Sequence, residues 1–118
     1  MARDSEDNVN YKVTQGDTFR LELTYLDPLD APIDLEGYTF LAEVKDKPGG
    51  KILCASATIG DGVTVIDEVN GVVEIEFSPA KTAKFTYPKA AYQIQAIQGT
   101  DKETLLQGWF QVNAGVID

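Results

Sequence analysis

Apolar and polar residues alternate at period two in five short stretches of this chain, and Gly, Pro, Asn and Asp punctuate the intervals between them. Val9, Tyr11 and Val13 alternate first. After Gln15-Gly16-Asp17 the pattern resumes as Phe19, Leu21, Leu23 and Tyr25, with Arg20, Glu22 and Thr24 facing the other way. Two strands joined by a turn or bulge at Gly16 are expected. Asp27-Pro28-Leu29-Asp30-Ala31-Pro32 then ends the ladder, because proline lacks a donor and aspartate bonds to its own backbone. A third strand follows, with Tyr38, Phe40, Ala42 and Val44 on one face and Thr39, Leu41, Glu43 and Lys45 on the other. Past the loop Lys47-Pro48-Gly49-Gly50, the run from Ile52 to Ile59 is strand-like but shows no strong amphipathic phase. Gly60-Asp61-Gly62 leads to a short strand at Val63-Thr64-Val65-Ile66. Asn70-Gly71 then signals a tight hairpin, since both residues tolerate positive φ. It opens onto Val73, Ile75 and Phe77, with Glu74 and Glu76 outward.

Ser78-Pro79-Ala80-Lys81-Thr82-Ala83-Lys84-Phe85 departs from this pattern. Ser78 can cap a helix and Pro79 suits its first turn, so a short helix is expected near residues 79–85, stopped before Tyr87-Pro88. Tyr92, Ile94 and Ala96 resume the alternation, and Gly99-Thr100-Asp101-Lys102 turns the chain into Thr104 to Val112 as an antiparallel hairpin. In that last strand Leu106, Gly108, Phe110 and Val112 share one face, and Trp109 falls on the other. No helix is long enough to cross over between parallel strands, so largely antiparallel sheets are expected. About seven or eight strands point to an all-β, two-layer, immunoglobulin-like sandwich, although the usual cysteine pair flanking a tryptophan is missing.

Ten basic against nineteen acidic residues give a net charge of −9, which repels phosphate backbones and anionic lipid. Nucleic acid and membrane surfaces are therefore not expected partners. Glu22, Glu43, Glu74 and Glu76 read as outward strand positions that keep the chain soluble and protect sheet edges. Cys54 is the only cysteine, so no internal disulfide forms, and its apolar surroundings suit a buried small hydrophobe. Residues 1–10 are polar and of mixed charge, without the apolar centre of a signal peptide. They are expected to be a flexible arm on a single domain spanning 11–118.

The chain contains no histidine, the usual proton carrier and commonest metal ligand. Asp27 with Asp30, or Asp61 with Asp67, could cluster on loops as acid and base or as calcium ligands. Local turn bonding is the ordinary use of such residues. No catalytic, cofactor-binding or metal site is expected. Most aromatic residues fall on core faces. Tyr11, Tyr87 and Trp109 fit the core pattern less well and are the candidates for partner contact, because large aromatic side chains anchor protein interfaces.

Three words of the sequence carry a resemblance. Val13-Thr14-Gln15-Gly16-Asp17-Thr18-Phe19, Ala31-Pro32-Ile33-Asp34-Leu35-Glu36-Gly37-Tyr38 and Leu105-Leu106-Gln107-Gly108 resemble a module of tailed bacteriophages, the N-terminal domain of the baseplate upper protein. The match runs from about Val13 to Val112. The resemblance implies a structural β-sandwich that binds other virion proteins, as an adaptor on a baseplate, tail or fibre attachment, or as a capsid decoration. It also implies a homo-oligomeric or lattice-bound final state, in a virion assembled in the host cytoplasm. No fibre-forming or receptor-binding extension follows Val112, which favours a stand-alone adaptor or cement protein. A carbohydrate-binding module, with Tyr87 and Trp109 as a stacking platform, is the alternative of another class.

Overall fold

The computed structural model describes residues 9–115. Eight strands carry nearly all of the regular structure: β1 (Tyr11–Thr14), β2 (Phe19–Thr24), β3 (Thr39–Lys45), β4 (Leu53–Ile59), β5 (Gly62–Asp67), β6 (Val72–Phe77), β7 (Lys89–Gln98) and β8 (Asp101–Asn113). One helical turn, α1 (Pro79–Thr82), separates β6 from β7. The all-β expectation holds.

The layering differs from the expected immunoglobulin-like pair of sheets. Hydrogen bonding joins every strand into one sheet, in the order β1-β8-β7-β3-β4-β5-β6-β2. β1 and β2 lie at opposite ends of that order, yet only residues 15–18 separate them in sequence. The sheet must therefore curl until its ends approach, and Tyr11 of β1 meets Phe19 of β2 edge to face at 5.8 Å. The result is nearly a barrel. Two pairings are parallel, and neither uses a crossover helix. β1 lies along β8 with almost the whole domain between them in sequence. β4 and β5 touch only at Thr58–Gly62 and Ile59–Val63, where the chain coils through Gly60-Asp61 and steps from one half of the sheet to the other.

Inward residues from both halves meet in one core. Val44, Val73 and Ile75 are fully buried, and Phe110 stacks on both Tyr92 (4.4 Å) and Phe85 (5.4 Å). Phe85 lies in no alternating run, so the pattern does not assign it to the core; it closes one end of the barrel against Phe77 and Phe110. Cys54 is buried at 7% exposure, as a small apolar residue would be.

β8 breaks simple alternation. Ile94 pairs with Leu106 but Gln95 pairs with Thr104, so Leu105 is an extra residue, and both leucines turn inward. Trp109 keeps its expected outward side. α1 is shorter than residues 79–85: the Ala83 N–H makes the last i→i−4 bond, to the Pro79 carbonyl, while Lys84 and Phe85 donate only three residues back, to Lys81 and Thr82. Ser78 precedes it without a side-chain capping bond, its carbonyl accepting the first helical N–H groups from Lys81 and Thr82. The hairpin near Asn70-Gly71 is a wider loop than expected. Only Gly71 takes positive φ (73°), while Asn70 donates from its backbone and side chain to the Asp67 carboxylate.

The Gln15-Gly16-Asp17 turn is held from across the barrel by Thr82, which is 0% exposed. Its Oγ1 accepts from the Gly16 N–H (3.0 Å) and donates to the Asp17 carbonyl (2.8 Å). Gln15 Nε2 donates to the Phe85 carbonyl at 2.9 Å, so the turn and the segment after α1 form one bonded unit.

Candidate interaction surface

Cross-strand register places the outward residues of β3, β7 and β8 side by side. Lys45, Ala91 and Trp109 form one row across the sheet, and Glu43, Gln93 and Gln107 form the next. The β3–β4 loop, through Lys47, Pro48 and Gly49, rises beside these rows and turns a flat sheet face into a groove of about 430 Å³. Lys89 sits with its Nζ 4.3 Å from the Trp109 ring centroid, close enough for a cation–π contact. Glu43 lies 3.9 Å from Lys45 Nζ, so the carboxylate in the groove is balanced by a neighbouring ammonium.

The chain entering β1 supports this groove from its far side. The Val9 N–H donates to the Gln107 carbonyl (2.9 Å), the Tyr92 hydroxyl donates to the Val9 carbonyl (2.5 Å), and the Trp109 N–H donates to Asn10 Oδ1 (2.9 Å). Gly108 makes this approach possible, because a Cβ there would stand 2.2 Å from the Val9 oxygen. Residues 1–8 of the expected arm lie outside the described residues, but Val9 and Asn10 are bonded along β8. Burial raises the Tyr92 pKa, and the nearby Tyr11 adds to the shift, so the phenol stays protonated as the donor this contact needs.

The three partner-contact candidates are placed differently. Trp109 is half-buried on the outer face and lines the groove. Tyr11 points inward and packs on Phe19, Tyr92 and Phe110, and burial raises its pKa. Tyr87 is 64% exposed in the segment between α1 and β7 and is not among the residues lining the groove. Lys89 and the Lys47-Pro48-Gly49 wall were not singled out from sequence. The signal available for Lys89 was its phase, since it shares the outward side of β7 with Ala91 and Gln93.

A second, smaller recess is lined by Tyr25, Tyr38, Gln98 and Glu103. The Tyr25 hydroxyl donates to the Glu103 carboxylate; burial and that carboxylate both raise the Tyr25 pKa. The loop aspartates have local work. Asp27 Oδ1 accepts from the Leu29 and Ala31 amides, Asp61 pairs with Lys81 at 3.1 Å, and Asp67 binds Asn70. Among the described residues no three His, Cys, Asp or Glu side chains gather as a metal-binding set. No helix among them is long and apolar enough to cross a membrane.

No protein-family model matches the chain, and no curated protein sequence matches it. Among solved structures, the fold is similar to the N-terminal domain of phage TP901-1 ORF48, with a TM-score of 0.55 and 12% identity over 89% of this chain and 85% of that one. At that identity the likeness is one of fold. It joins the resemblance already carried by the sequence words, and it gives those words structural roles. Gly16 lies in the clamped turn, Leu35 of the second word is buried, and Leu105-Leu106-Gln107-Gly108 combines the bulge with the gap that admits Val9.

Proposed function

We propose that this protein is a bacteriophage virion structural protein, an adaptor at the baseplate, tail or fibre attachment that works through protein–protein contacts and performs no catalysis. The observation that carries the reading is the fold shared with a phage protein's N-terminal domain over nearly the whole chain. The outer face around Trp109 is the docking surface. A concave strip that joins Trp109 to Ala91, Gln93, Gln107 and Pro48, with Glu43, Lys45 and Lys47 along it, offers the aromatic anchor that protein interfaces favour at their cores. The partners are other virion proteins, and the working location is the assembled particle.

The glycan-binding alternative asks Tyr87 and Trp109 to form one platform. Lys89 already lies against the Trp109 ring, and Tyr87 does not line the same groove, which weighs against a stacked sugar there. The test is incorporation. Particles made by the phage or prophage that encodes this chain are purified and assayed for it, with Trp109→Ala compared to the parent. The chain is expected in the particles, and the variant is expected to be depleted at least several-fold while its melting temperature is nearly unchanged. Absence of the parent from purified particles, or binding of the isolated domain to a glycan array that Trp109→Ala abolishes, would overturn the proposal.

A further inference from the structure

Charge is scattered along the sequence but sorted in space. The outward positions of β1, β8, β7, β3 and β4 carry four lysines, Lys12, Lys45, Lys89 and Lys102, against one carboxylate, Glu43. The outward positions of β5, β6 and β2 carry four carboxylates, Glu22, Asp67, Glu74 and Glu76, against one cation, Arg20. Glu22 and Glu74 are direct cross-strand partners, an arrangement that costs stability in an isolated sheet. Arg20 already belongs to Glu76, at 3.2 Å, and leaves this pair of carboxylates unneutralised by that guanidinium. The two halves pack inward on one core, so these two faces look in opposite directions.

We infer that the lysine face of one copy docks on the glutamate face of a second copy, in a head-to-tail contact. The inference rests on reading the Trp109 face as a protein-docking surface, and names its occupant. Charge complementarity supplies the argument: a chain of net charge −9 repels its own copies unless a cationic patch meets an anionic one. Apolar area accompanies both patches, with Leu53 and Trp109 on the first and Ile66, half exposed, beside the second. The molecule measures 43 × 24 × 23 Å, so a broad face offers on the order of 1,000 Å², comparable with the ~800 Å² per partner of a standard interface. Because the two patches differ, the contact is heterologous and can continue from copy to copy, closing into a ring if the rotation allows.

The experiment is light scattering of the full-length chain over a concentration series at low and high salt, with two charge-reversed variants. The first carries Lys45→Glu, Lys89→Glu and Lys102→Glu; the second carries Glu22→Lys and Glu74→Lys. All five positions are outward, and circular dichroism checks that each variant folds. The parent is expected to gain mass with concentration at about 0.01 M ionic strength and to lose it at about 1 M, where the Debye length falls from about 30 to about 3 Å. Each variant alone is expected to stay monomeric, and an equimolar mixture of the two is expected to associate again, since reversed faces are complementary across the pair. A parent that remains monomeric throughout, association that salt strengthens, association only in the presence of nucleic acid, or a mixture that does not recover would each overturn the inference. The docking reading fails separately, by unchanged incorporation of Trp109→Ala into particles.

Discussion

Gly108→Ala tests whether the chain before β1 is an integral part of the domain. The added Cβ would lie 2.2 Å from the Val9 oxygen and 2.9 Å from its carbonyl carbon and nitrogen. These are backbone atoms, which cannot swing aside as a flexible side-chain tip can, so Val9 must leave β8. Three hydrogen bonds go with it: Val9 to Gln107, Tyr92 to Val9, and Trp109 to Asn10. At roughly 0.5–1.5 kcal/mol net for each, the loss of three is about 1.5–4.5 kcal/mol. For a domain of this length that lowers the melting temperature by about 10 °C. Urea denaturation followed by tryptophan fluorescence measures it directly, since Trp109 is the only tryptophan. A second chain beginning at Tyr11 isolates the cause. In that background the new methyl group has no Val9 to strike, so the substitution is expected to cost less than in the full chain. The remainder is the strain of placing an L side chain at φ 159°, and the difference is a coupling of the kind residues in contact show. Equal costs in the two backgrounds would refute the steric account, and so would a Gly108→Ala variant as stable as the parent.

Thr82→Val removes the acceptor for the Gly16 amide and the donor to the Asp17 carbonyl while keeping the shape of the side chain, and is expected to cost about 2–4 kcal/mol in urea unfolding. Thr82→Ser, which retains the hydroxyl, is expected to keep most of that stability. Glu22→Gln relieves the direct opposition to Glu74 and is expected to stabilise the monomer by about 0.2–1 kcal/mol, with the gain shrinking as salt is raised. Tyr25 and Tyr92 have folded-state pKa values above the ordinary tyrosine value of 10.0. The folded state therefore holds protons that the unfolded state releases, so their contribution is intact below about pH 10 and is lost as pH rises toward the folded pKa. Phenolate absorbance should show three of the five tyrosines, Tyr11, Tyr25 and Tyr92, titrating late, together with unfolding. Uniform titration near pH 10 with flat stability would contradict this.

Strand positions were readable because period-two alternation is a property of each strand alone. β2, β3, β6 and the β7–β8 hairpin fall where Phe19, Phe40, Ile75, Ile94 and Phe110 alternate with polar neighbours. The site was readable in part. The phase of β8 put Trp109 outward. The inward packing of Tyr11 was not legible because its neighbours, Phe19 and Phe110, come from the opposite end of the sheet order and from a parallel partner. Lys89 acquires meaning only beside Trp109, which is distant in sequence and near it in space through the β7–β8 pairing.

The sequence by itself determined the class of structure: an all-β chain whose alternating residues need an apolar interior, whose glycines and prolines place the turns, and whose composition carries no histidine-based chemistry. The tertiary structure alone decided that the strands form one rolled sheet instead of two, that Phe85 and Thr82 are interior, that Val9 lies over Gly108, and that lysines and glutamates occupy opposite faces. The physical reason is that alternation assigns a residue to one of two sides of its own strand. Which strands lie beside it, and which charges share its face, follow from long-range register, where a shift of a single residue reverses every side chain.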